Sequence, residues 1–215
     1  MEQWIIRPEV PGDYAPVEAL TRRAFWNLYT PGCYEHYLVH IMRRHPDFLP
    51  ELAFVAELRG EIVGSILYTR AKLTDEQGEE REILTFGPIS VAPEYQRQGI
   101  GKALMEHSFA KAREMGYDAV VIFGAPANYV GRGFRSCRRY NVTAEGGIFP
   151  AAMLVKELRP GTLDGRRWVY AGSSVMELDM EAAAAYTAGL EPWEEKVLPS
   201  QEEFYILSHS VLSES

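Results

Sequence analysis

The stretch Val91-Ala92-Pro93-Glu94-Tyr95-Gln96-Arg97-Gln98-Gly99-Ile100-Gly101-Lys102-Ala103-Leu104-Met105 restricts this chain more than any other part of it. An apolar run, Ile83 to Val91, reads as a strand that enters a turn bearing Gly99 and Gly101, where an amphipathic helix starts. Neither glycine has a Cβ, so a ligand can approach the backbone closely, and both tolerate φ angles that other residues avoid. The first N–H groups of a helix lack intrahelical partners and point back into the turn, and the helix dipole adds positive potential there. A strand, a glycine turn and a helix N-terminus in this order form an anion cradle suited to a pyrophosphate.

Two nucleotide motifs compete for this cradle and each lacks a required residue. A dinucleotide fingerprint needs a third glycine where the chain has Leu104, and its ribose-binding acid should close the second strand, whereas Asp118 stands before Ala119 to Phe123. A P-loop needs glycine where Gln96 stands and Ser or Thr where Ala103 follows Lys102. The pattern that is met in full is Gln/Arg-x-x-Gly-x-Gly/Ala, as Gln96-Arg97-Gln98-Gly99-Ile100-Gly101, preceded by Ile89-Ser90-Val91-Ala92-Pro93. In that setting the run resembles the acetyl-coenzyme A motif of the GNAT superfamily of N-acetyltransferases.

A chain of 215 residues suits one domain, or one domain with an extension. A net charge of −8 and the absence of a long Lys/Arg run disfavour nucleic-acid binding. Only Cys33 and Cys137 are present, so a disulfide framework is not expected. Met1-Glu2-Gln3-Trp4 has neither a basic nor an apolar leader character, and no apolar run approaches the ~20 residues that span a bilayer. These features point to a cytoplasmic protein without membrane partners.

Along the chain, Trp4 to Arg7 reads as a short strand, and Asp13 as the cap of a helix running to about Leu28. A second helix is expected over Cys33 to Arg44, ending before Pro46. Leu52 to Leu58 and Ile62 to Ala71 form a hairpin across Arg59-Gly60-Glu61, and Thr74 to Arg81 reads as a polar loop. The helix from Gly101 ends near Gly116; strand Ala119 to Phe123, a short helix near Ala127 to Val130, and strands at Phe134 to Tyr140 and Met153 to Leu158 follow. That order is the GNAT arrangement. The resemblance therefore implies an α/β (α+β) fold with a mixed, mostly antiparallel twisted sheet flanked by helices over residues 1–158. Residues 159–215 read as a helix-containing extension packed on the same domain.

Moving an acetyl group from a thioester to an amine requires phosphate binding, thioester orientation, a neutral amine and a proton for the leaving thiolate. The loop Gln96, Arg97, Gln98, Gly99, Ile100, Gly101 and Lys102 supplies the first. The resemblance places the pantetheine arm along the backbone of Ile89, Ser90 and Val91. A bulge at Gly87-Pro88, where proline cannot donate to the ladder, would suit an N–H directed at the thioester carbonyl. A second motif, Asn128-Tyr129-Val130-Gly131-Arg132-Gly133-Phe134, matches the Tyr-x-x-x-Gly-Phe that GNAT enzymes carry after the fifth strand. By that match Tyr129 is the general acid, and Asn128 and Arg132 beside it join the cofactor-binding set. A phenol of ordinary pKa ~10 is protonated at neutral pH and can donate as the thiolate forms.

No general base is assigned. Where many family members carry a glutamate on the fourth strand this chain has Gly87-Pro88, and Glu79, Glu80 and Glu82 read as a solvated turn. Phe25, Trp26, Tyr29, Tyr34 and Tyr37 fall where the superfamily walls its acceptor site, mostly as core. Glu35-His36-x-x-x-His40 places two imidazoles one turn apart but lacks a zinc-protease order and a third ligand, so no metal is expected. Gly124-Ala125-Pro126-Ala127-Asn128-Tyr129 is similar to the Gly-Asp-Pro-x-Tyr-Tyr of a broad group of uncharacterised small acetyltransferases. The resulting expectation is an N-acetyltransferase using acetyl-CoA on a small-molecule or peptide amine, as a monomer or homodimer. Transfer of a longer acyl group, an acyl-CoA sensor that kept the fold without catalysis, and a nucleotide-binding protein are the alternatives.

Overall fold

The computed structural model describes residues 4–213, so the tripeptide Met1 to Gln3, part of the leader reading, lies outside the described residues. The elements in chain order are β1 (Ile5–Pro8), α1 (Tyr14–Phe25), α2 (Glu35–Met42), β2 (Phe54–Leu58), β3 (Glu61–Asp75) and β4 (Glu80–Val91). These lead into α3 (Ile100–Glu114), β5 (Ala119–Phe123), α4 (Pro126–Tyr129), β6 (Arg135–Ser136), β7 (Val142–Thr143) and β8 (Met153–Glu157). The remaining elements are β9 (Trp168–Ala171), α5 (Met180–Ala188) and α6 (Pro199–His209).

The main sheet runs β1-β2-β3-β4-β5-β8-β6, antiparallel at every step except β4–β5. That is the mixed, mostly antiparallel sheet expected from the sequence. The parallel pair β4–β5 is in register at a single position, Leu84 with Val120. Past that point the strands part, and residues of both strands line an opening between them. β4 also carries one residue more than β3 across the step from Ile66–Ile89 to Tyr68–Phe86. The extra residue falls at Gly87-Pro88, a bulge where it was expected.

Helices cover both faces, so β3 is buried along nearly its whole length instead of alternating. Ile66 and Tyr68 face α3 with Leu104, Met105 and Phe109, while Leu67 faces α1 and α2 with Val17, Val39 and Met42. A β-carbon on Gly64 would meet Ile100 at 2.8 Å and Leu104 at 3.1 Å, so its absence lets the first turn of α3 settle on the sheet.

Four local readings shift. Asp13 does not cap α1; its carboxylate accepts from Arg7 and from the Val10 N–H at 2.9 Å. The polar stretch at Thr74 is the tip of one long hairpin, with β3 extending to Asp75 and β4 beginning at Glu80. The strand expected over Phe134 to Tyr140 is only the two residues of β6. Ser136 accepts the Arg138 N–H and Asn141 adopts φ 52°, turning Cys137–Tyr140 into a 3-10 turn. The tail also adds a strand: β9 pairs antiparallel with β3 from Lys72 to Asp75, with Trp168 fully buried.

One stretch of the tail, residues 191–196, reaches α1 and the turn that follows it. The Arg22 guanidinium lies 4.7 Å from the Trp26 ring and 4.2 Å from that of Trp193, and donates to the Glu191 carbonyl at 2.7 Å. Asn27 receives the Lys196 N–H at 3.0 Å and donates to the Glu194 carbonyl at 3.0 Å. Beyond α6, Leu212 N–H donates to Phe149 and Ala151 N–H to Ser210, fixing the far end of the tail.

Candidate active site

The opening between β4 and β5 continues into a cavity of about 1070 Å³. One end is the glycine turn. Pro93–Tyr95 forms a short 3-10 turn, Arg97 takes φ 62° and Gly99 takes φ 96°, and α3 starts with no side chain capping it. Its first N–H groups are therefore left for a ligand. The side chain of Gln96 donates to the Val91 carbonyl at 3.1 Å and that of Gln98 to the Glu94 carbonyl at 3.1 Å. Glu94 is held in turn by Arg23 at 2.6 Å, which ties the turn to α1. Both glutamines thus shape the loop from within.

Of the predicted cofactor residues, Ile89, Val91, Gln96, Arg97, Gly99, Ile100, Gly101 and Lys102 line the cavity from the β4 side. Asn128, Tyr129 and Arg132 line it from the β5 side. The two motifs, distant in sequence, are brought face to face. Ser90 and Gln98 are not lining residues: the Ser90 hydroxyl is buried against Thr21 at 3.0 Å, and Gln98 is exposed. Gly101 differs from expectation in another respect. It sits inside α3 at an ordinary φ, where a β-carbon would make normal contacts at 3.7 Å and 3.8 Å. Its conformational freedom is not used.

Tyr129 is positioned by packing. Its ring contacts Phe86 at 6.0 Å and Phe134 at 5.8 Å between centroids, and lies over Gly124. Gly133 at φ 88° ends the turn and sends Phe134 back into the core. The phenol forms no hydrogen bond with another described residue, and burial holds its pKa well above the ordinary value, so it stays protonated.

At the opposite end the wall comes from Phe25, Leu28, Tyr29, Glu35 and Leu38, together with Phe204 and Leu207 of α6. Tyr29 and Phe204 stack with centroids 4.4 Å apart at 27°. The sequence alone marks neither Glu35 nor the tail as part of this wall. In the sequence Glu35 stands out only within the two-histidine pattern, and no local signal reports that a distant helix will cover Tyr29. Glu80 and Glu82 pair with Lys72 and Arg70 on the hairpin, away from the cavity. His36 lies 3.4 Å from Cys33 Sγ and 3.1 Å from Thr187, while His40 meets Glu18 at 3.2 Å. Among the described residues no three His, Cys, Asp or Glu side chains group as metal ligands, and no helix is long and apolar enough to cross a membrane. Cys33 and Cys137 are buried and unpaired with each other.

A sheet split between β4 and β5, with a glycine-bearing helix start on one side and a buried phenol on the other, defines an acyltransferase of the acetyltransferase (GNAT) family. The model of that family matches residues 22–134, and the chain belongs to it. Among its relatives, the uncharacterized N-acetyltransferase YhbS of Escherichia coli is 30% identical over 75% of this chain and 91% of its own length. The crystal structure of the E. coli YhbS in complex with CoA has a TM-score of 0.72, with 26% identity over 83% of this chain and 94% of the other. A GNAT family acetyltransferase from Brucella melitensis, solved in complex with acetyl-CoA, shares the fold at a TM-score of 0.64, 24% identity and coverage of 82% and 99%.

Proposed function

We propose that this chain transfers the acetyl group of acetyl-CoA to a primary amine by direct attack, with Tyr129 protonating the leaving thiolate. The observation that carries the reading is the shared cavity, which joins the anion cradle of α3 to the Tyr129 phenol across the parted strands. The residues fit the donor. Uncapped N–H groups at Ile100 to Lys102, with Arg97, Lys102 and Arg132, suit a pyrophosphate, and the parted edge of β4 offers backbone to an extended amide-bearing arm.

Bound acetyl-CoA supplies an activated thioester; the protein supplies alignment and one proton. A backbone N–H at the Gly87-Pro88 bulge polarises the thioester carbonyl. Tyr129 gives its proton to the departing sulfur and recovers one from the newly acylated nitrogen. Because attack is direct, both substrates must be present together, and double-reciprocal plots should intersect instead of running parallel. Release of free thiol from acetyl-CoA across a panel of amines tests the reading, with Tyr129→Phe as its partner. Coenzyme binding without thiol release from any amine would favour the sensor. Transfer from longer acyl thioesters at equal kcat/KM would widen the donor.

A further inference from the structure

Of the described residues lining the cavity, Glu35 carries the only carboxylate. It accepts hydrogen bonds only from backbone N–H groups, Tyr34's at 3.1 Å among them, and no Arg, Lys or His among the described residues pairs with it. A half-buried carboxylate with no cation beside it is costly to keep charged, unless a ligand supplies the opposite charge. The other side chains lining this end are Phe25, Leu28, Tyr29, Leu38, Phe204 and Leu207, apolar or aromatic, with Ser208 the one further polar group beside them. The lining cations, Arg97, Lys102 and Arg132, belong to the phosphate turn and the β5 side. A carboxylate-bearing acceptor such as an amino acid therefore finds no positive partner at the Glu35 end.

We propose that the acceptor is a primary amine on an uncharged apolar, preferably aromatic, body, and that Glu35 docks its ammonium and takes its first proton. The inference rests on the transferase reading and specifies its acceptor. Polyamines and aminoglycosides carry several ammonium groups, and one carboxylate in an apolar enclosure would leave the others desolvated and unpaired. A single-charged amine leaves none.

The protons balance. The bound ammonium gives one proton to Glu35 and becomes a nucleophilic amine. Its nitrogen bonds to the thioester carbonyl carbon, the C–S bond breaks, and the sulfur leaves with the Tyr129 proton. The nitrogen's second proton restores the Tyr129 phenol, and Glu35 releases its own to solvent. Burial already raises the Glu35 pKa above the ordinary carboxylate value, which suits a group that must accept a proton. Tyr29 and Cys33 are the titratable neighbours that feel its charge; both are held protonated, Cys33 pushed up to about 12.

The test uses the full chain in two arms. In the first, free-thiol release is followed with phenethylamine, octylamine, glycine, spermidine and an aminoglycoside. The expected result is a kcat/KM at least roughly 10-fold higher for the two apolar amines, lost by a similar factor in Glu35→Gln. Equal or better turnover of spermidine, the aminoglycoside or glycine overturns the acceptor class, and a Glu35→Gln enzyme with unchanged kcat/KM overturns the residue's role. In the second arm, thermal shifts by acetyl-CoA establish that both proteins fold and bind the donor, and phenethylamine is then titrated into each CoA complex. Phenethylamine binding in the wild type that is lost in Glu35→Gln supports the acceptor site even where no thiol is released, in which case the transferase reading alone fails. No phenethylamine binding to either protein overturns the inference.

Discussion

The ring of Tyr129 rests on the α-carbon of Gly124: a β-carbon there would sit 2.6 Å from the tyrosine Cε2. The glycine is thus part of how the phenol is aimed. Alanine at 124 must push the ring away, because ring carbons in a packed wall between Phe86 and Phe134 have little room to give. Gly124→Ala is expected to lower kcat toward the level of Tyr129→Phe, itself about 10²–10⁴-fold below wild type for loss of a general acid. Acetyl-CoA affinity should change little in either. Steady-state kinetics with a donor-binding control checks this, and wild-type kcat in Gly124→Ala would remove packing as the aiming device.

Gly101 separates fold from ligand. Inside α3 an alanine is worth roughly 0.5–1 kcal/mol more than glycine, and its methyl would meet only Val91 and Ile89 at ordinary distances. Gly101→Ala should therefore hold or raise Tm while weakening acetyl-CoA binding, if the phosphates approach the helix start as closely as the turn permits. Melting curves with and without the coenzyme measure both effects on one sample.

Arg97 holds φ 62°, a left-handed conformation that costs a residue with a side chain roughly 1–2 kcal/mol. Arg97→Gly relieves that cost, yet removes one of the three cations lining the cavity. Stability should be unchanged or higher, with coenzyme affinity lower and less sensitive to salt. Calorimetric titration at two ionic strengths checks it.

His36 is almost fully buried between Cys33 and Thr187 of α5, and burial together with the Arg22 charge lowers its pKa to about 4. The unfolded chain, with an ordinary imidazole pKa near ~6.5, then binds more protons than the folded one between those values. The His36 contribution is fully present above pH ~6.5 and is lost as the pH falls toward 4. Tm should fall across that window, and the slope should flatten in His36→Asn, a substitution that keeps polar atoms facing the same partners.

Much of this architecture could be read in advance because its signals are local. The apolar run before Gln96, the glycines after it and the 3.6-residue periodicity of α3 all lie within one short stretch, as do Tyr129, Gly133 and Phe134. The bulge at Gly87-Pro88 also follows from one residue's missing N–H. What escaped depends on tertiary placement. β6 is short because Ser136 and Asn141 favour a turn over a ladder, and Trp168 pairs β9 with a strand from far earlier in the chain. Glu35 reads as one acid in a helix until the fold sets apolar side chains around it, and Phe204 reads as an ordinary helical aromatic until it meets Tyr29.

The stacking of Phe204 on Tyr29 has a consequence for the order in which the protein comes into being. The strands, turn and helix around Gly99 are synthesised well before α6, so a growing chain can assemble that end of the cavity while the Tyr29 end still lacks its α6 wall. The enclosure closes only when α6 arrives and is anchored between the Asn27 strap and Phe149. Part of the cavity wall is thereby encoded far along the gene from the glycine turn and from Tyr129.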